Sequence, residues 1–166
     1  MAANAQATSS GTQSTALALS NAIAITFVGT GTATGTAVSL PFTTVSDYTN
    51  GVLSSAQQLK IQSNKVFNLT ANATAANFTY SGTTTPSPVM PIAVLDIMVT
   101  ANGTGGTVAG TYATAYNDVT SAAATLISGG LNGGNQTVSV QYRALPGFAY
   151  PAGTYTANIV YTATQP

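Results

Sequence analysis

Asp47, Asp96, Asp118, Lys60, Lys65 and Arg143 are the only charged side chains in this 166-residue sequence, which contains no His, Cys, Trp or Glu. Carboxylates do general acid–base work as a pair, so a site of that kind must bring two of these aspartates into one cleft. Context gives each a simpler part: Asp47 and Asp118 stand in turn or helix-cap settings, and Asp96 falls on the polar face of a strand. The many Ser and Thr hydroxyls have no His, and no lysine placed as base, to activate them as nucleophiles. Aspartates and backbone carbonyls can hold calcium, yet no segment has ligand spacing, so no metal and no cofactor are expected. The remaining residue types pack, hydrogen-bond and stack, which points away from an enzyme and toward a structural or adhesive protein.

The elements that would hold these residues read as strands. From Leu17 to Phe27 the odd positions are Leu17, Leu19, Asn21, Ile23, Ile25 and Phe27, with Ala, Ser and Thr between them. The glycine- and threonine-rich stretch 29–35 then leads to Val38, Leu40 and Phe42, which suggests a first hairpin with a mobile tip. Leu59 and Ile61, the turn Ser63-Asn64-Lys65, and Phe67, Leu69 and Ala71 suggest a second, with Lys60 and Lys65 as solvated edge protection. Asn77 to Tyr80 can pair briefly before Pro86, Pro88 and Pro91 force an extended crossing. Leu95, Ile97 and Val99 alternate, and Thr107 to Tyr116 reads as extended. Asp118 can cap a short helix in which Val119, Ala122, Ala123 and Leu126 share a face, stopped by Gly129-Gly130. Val138 to Ala144 and Tyr155 to Ala163 alternate again. The pattern predicts an all-β fold: one antiparallel two-sheet sandwich, immunoglobulin-like, of about eight strands with at most one short helix.

Composition bounds the partners. Three basic residues and a net charge of zero cannot neutralise a run of phosphates, so nucleic acid is not an expected partner. No stretch reaches the roughly 18 apolar residues of a membrane-spanning helix, so membrane insertion is not expected either. Charged residues make up 4% of the chain, which removes the usual electrostatic brake on self-association and makes copies of the same chain the expected partner.

Residues 1–16 form a small, uncharged arm ahead of the sandwich domain at 17–166. An arm of this kind is suited to strand addition, in which main-chain hydrogen bonds supply affinity without bulky anchors. Ala7, Thr12, Thr15, Leu17 and Leu19 are the candidate polymerisation residues. Tyr142, Tyr155 and Tyr161 sit at apolar-face positions, whereas Phe148 and Tyr150, beside Pro151, are candidates for a surface contact that includes stacking on sugars.

The segment Tyr150-Pro151-Ala152-Gly153-Thr154-Tyr155, with alternating Ala157, Ile159, Tyr161 and Ala163 after it, resembles the C-terminal strand of several bacterial surface β-sandwich families. These are fimbrial pilins, the spore coat U family and WxL-type surface domains. Residues 59–82 are similar to a hairpin of such domains, in which a Ser-Asn-Lys turn precedes an aromatic and an alternating strand. The resemblance implies a secreted bacterial cell-surface domain that assembles into fibres or a coat, at times by donor-strand exchange. The paired cysteines of many pilins and the Trp-x-Leu signature are absent here. Together the readings lead to the subunit of an extracellular homopolymeric filament or surface layer; the alternative is a secreted adhesive, carbohydrate-binding sandwich.

Overall fold

A computed structural model describes residues 13–28 and 37–166. Within them the chain forms β1 (Ile23–Val28), helix α1 (Val45–Asn50), β2 (Val52–Leu53), β3 (Gln57–Ser63), β4 (Phe67–Ala73), β5 (Thr79–Ser81) and β6 (Leu95–Asn102). There follow β7 (Thr107–Val108), β8 (Asn117–Asp118), β9 (Ala124–Gly130), β10 (Gly133–Ala144), β11 (Thr154–Thr156) and β12 (Ile159–Thr164). All pairings are antiparallel. One sheet runs β1-β3-β10-β6-β8 with β2 also on β10, the second runs β12-β4-β9-β7, and β11 and β5 form a small ribbon. The fold is therefore the expected all-β sandwich, with twelve strands among the described residues where about eight were expected.

Alternation builds the core. In β3 and β4 every second residue is buried: Leu59, Ile61, Phe67 and Leu69 are each at 0% exposure, and Val138 and Val140 of β10, paired beside β3, are buried with them. Gly130 makes room for the Phe67 ring, since a Cβ there would lie 2.5 Å from Phe67 Cζ. Tyr142 of β10 and Tyr161 of β12 join hydroxyls at 2.5 Å, linking one sheet to the other.

Several pairings differ from the sequence expectation. β1 pairs with β3, from Ile23↔Ser63 to Val28↔Gln58, and not with 38–42. Residues 37–42 enter neither sheet; Pro41 lacks the N–H a ladder requires, yet Val38, Leu40 and Phe42 still pack on the core. The glycine-rich tip at 29–35 lies outside the described residues. β3 and β4 are no hairpin either, because they lie in opposite sheets and Asn64–Val66 arches between them. Lys60 consequently sits on a central strand rather than an edge.

The short helix is also elsewhere. Thr44 caps α1 by accepting from Asp47 N at 3.3 Å, while Asp47 Oδ2 accepts from Thr43 N and Thr44 N at 2.8 and 2.7 Å. The expected helix after Asp118 is instead an irregular link, 119–123, that leads from β8 into β9. Register there shifts between Leu69↔Ile127 and Thr70↔Thr125, so a bulge turns Leu126 and Ile127 both inward. The final alternating run is broken too: β11 pairs with β5 and β12 with β4, parted by Ala157 and Asn158. Thr107 to Tyr116 keeps only β7 as strand before turning.

Candidate assembly interface

The sandwich has two poles with different equipment. At the first pole lie Ala22, Ser63, Asn64 and Gln165. Ala22 N donates to Asn64 Oδ1 at 2.9 Å and Asn64 Nδ2 donates to the Ser20 carbonyl at 2.8 Å. Gln165 Nε2 adds a bond to the Ala22 carbonyl at 3.0 Å. Those contacts fix where the N-terminal arm leaves the domain.

Beyond that anchor, residues 13–19 are extended in sequence pattern, assigned to no strand and exposed. Ile25 packs on the core, and Phe27 meets the Tyr161 ring edge-on at 5.8 Å. Leu17 and Leu19, of the same odd-numbered set, are 81% and 87% exposed. The alternating run thus has a partner for its second half and none for its first. Of the other candidate polymerisation residues, Thr15 is exposed, and Ala7 and Thr12 lie outside the described residues.

The second pole holds a groove of about 910 Å³. Residues 37–42 form one wall and 150–159 another, with Leu95, Tyr142 and Ala144 of the first sheet at its base. No residue lining it is charged. Gln57 also lines it: the side chain is 1% exposed, its Nε2 donates to the Ser55 carbonyl at 3.2 Å, and its Oε1 has no hydrogen-bond partner. Sequence reasoning missed Gln57, because an isolated Gln at a strand start carries no signal of burial.

Aromatic rings rim this pole. Phe148, 68% exposed, stacks on Tyr48 at 5.5 Å, and Tyr48 in turn meets Phe42 at 5.3 Å. Tyr150 is half-buried and edge-on to Tyr155 at 6.4 Å, with Tyr80 on its far side at 5.0 Å. The two candidate surface-contact residues thus stand at the same end of the molecule.

One carboxylate is placed differently from expectation. Asp118 caps no helix; it lies in β8, directly across from Asp96 in β6. Two of the three aspartates therefore do meet, on the outer face of the first sheet. Arg143 Nε donates to Asp96 Oδ2 at 2.9 Å, and its guanidinium lies 4.7 Å from the centre of the Tyr116 ring. Burial holds the Asp96 carboxyl above its ordinary range, a rise opposed by Arg143 and reinforced by Asp118. The cavity beside Asp118 measures about 10 Å³, room for about one water molecule and no substrate. Among the described residues no three potential metal ligands come together, and no helix is long and apolar enough to cross a membrane.

No protein-family model matches this sequence, and no curated protein aligns with it significantly.

Proposed function

We propose that this chain is the structural subunit of an extracellular bacterial filament or surface layer, homopolymerising by strand addition through its N-terminal arm. The observation that carries this reading is the half-satisfied apolar run: Leu17 and Leu19 continue the alternation of Ile25 and Phe27, which pack on the core and on Tyr161, but are themselves almost wholly exposed. Two neighbouring leucines at such exposure cost little in an isolated chain. They acquire a purpose when a second copy covers them, because burying each is favourable by about 1.5–3 kcal/mol. Main-chain pairing of the arm adds affinity without further anchors.

Microscopy of the purified protein tests the reading, together with a variant that lacks residues 1–19. The full chain should form fibres or sheets. The shortened chain should stay monomeric with an unchanged unfolding midpoint, because nothing between 13 and 19 is buried. A full-length chain that sediments as a monomer at every concentration overturns the proposal.

A second reading, a carbohydrate-binding adhesive, is favoured by one observation. Phe148 presents an exposed ring already stacked on Tyr48, the flat apolar surface on which sugar rings settle. Glycan-array binding that is lost in Phe148→Ala, from a protein that stays monomeric, would select it.

A further inference from the structure

We infer that the groove at the second pole receives the Leu17–Leu19 segment of another copy, so that subunits join head to tail. This inference rests on the strand-addition reading and adds where the arm goes.

Three observations carry it. The first is reach. Ser20 is tied to Asn64 at the first pole, so Leu17, three residues upstream, lies within about 11 Å of that anchor. The base of the groove, at Leu95 and Ala144, lies at the far end of β10, whose Gly133 pairs with Ser63 at the first pole, more than about 30 Å away along the strand. A chain cannot fill its own groove with its own leucines. The occupant has to be a second copy, and since donor and acceptor sit at opposite poles the joint is heterologous and open-ended.

The second observation is fit. β12 is the terminal strand of its sheet, and Ile159 and Tyr161 of that strand line the groove. An arm laid along β12 extends the sheet by one strand while placing alternate leucines over the apolar base. Arm and groove are both without charged side chains, so no ion is stripped of water when they meet.

The third is Gln57. A buried acceptor without a donor is rare in folded proteins and calls for a partner. Gln57 Oε1 is such an atom, in the wall of the groove, and an inserted strand brings backbone N–H groups to that wall. Residues 37–42, which pack Val38, Leu40 and Phe42 on the core yet join no sheet, give the groove a second wall that can shift without breaking a ladder.

The chain has no cysteine, which makes the joint directly testable. The double variant Ala18→Cys/Ala157→Cys places one thiol in the arm, beside leucines left intact, and one in the groove. Under mild oxidation it should give a ladder of covalent trimers and larger species on non-reducing gels, whereas each single variant stops at dimers. A control with the second thiol at the first pole, Ala18→Cys/Asn132→Cys, should give about tenfold less of the ladder, because only docked thiols reach millimolar effective concentration. Fibres that form without a ladder, or an equally strong ladder in the control, overturn the groove assignment and leave strand addition standing. A chain that forms no fibres at all overturns both.

Discussion

Replacing the two exposed leucines by alanine should disable assembly and spare the fold. Each Leu→Ala change removes three carbons, worth about 0.8 kcal/mol per carbon when buried. Leu17 and Leu19 are 81% and 87% exposed in the free chain, so nearly all of that burial is still available to the joint. The double variant therefore forfeits about 4 kcal/mol per contact, a factor of about 10³ in the joint's dissociation constant. Because these side chains are almost wholly exposed, the monomer's own stability should move by less than about 0.5 kcal/mol. The assay is the concentration of protein left unpelleted after assembly reaches equilibrium, compared with the wild type and with Ala16→Ser/Ala18→Ser. That control alters the opposite parity of the same segment and should change little. An unpelleted concentration within about threefold of wild type in the leucine variant would refute the claim that this face drives the contact.

Gln57→Met retains length and removes the unpartnered acceptor; the isolated domain should gain about 1–2 kcal/mol in chemical denaturation, while assembly weakens, and a destabilised monomer counts against the role given to Oε1. Assembly should be nearly indifferent to salt from about 0.01 to 0.15 M, since the arm and groove carry no charge for the shrinking Debye length to screen; a tenfold change in unpelleted concentration would place charged surfaces in the joint. Asp96 takes up its proton in the folded state before the unfolded chain does, so its contribution to stability should improve as pH falls from neutral toward the ordinary value of 3.8. Asp47, held low by Thr43 and Thr44, acts in the opposite sense and only around and below that value. Melting curves between pH 7 and 4.5 should therefore lose part of their slope in Asp96→Asn, and identical slopes would refute this. Phe67→Ala should cost about 3–5 kcal/mol in the denaturation midpoint, as Phe67 is fully buried; a loss under about 1 kcal/mol would show that the core closes over the gap.

The faces of the strands were legible from sequence, and their partners were not. Alternation marks Leu59, Ile61, Phe67 and Leu69 as inward because burial on one face has a period of two, and those residues are indeed among the fully buried ones. The same pattern cannot say whether a three-residue link closes a hairpin or arches between layers, which is why β3 and β4 read as neighbours though they sit in opposite sheets. The bulge puts Leu126 and Ile127 on one side and so breaks the two-residue period, while the helical face read from Val119, Ala122, Ala123 and Leu126 came from two alanines that are exposed outside any element. Of the interface, the arm and its leucines were visible as an unusually long alternation. The groove was not, since it is assembled from residues as distant as Phe42, Gln57, Tyr142 and Ile159.

The distribution of charge fits a chain that meets its own copies. Asp96, Asp118 and Arg143 are gathered on one outer sheet face, and Asp47 is taken up in capping α1. That leaves Lys60, on the outer face of a central strand, and Lys65, in the arch. The groove has no charge to desolvate, and the hydroxyls and amides around both poles can exchange water for backbone partners at little net cost. A protein that had to remain apart from its copies would place like charges at these two ends, where a single lysine in the arm and another in the groove would oppose docking. Under the proposed joint, apolar fit and hydrogen bonding would decide whether subunits join, and reach would direct the contact between molecules rather than within one.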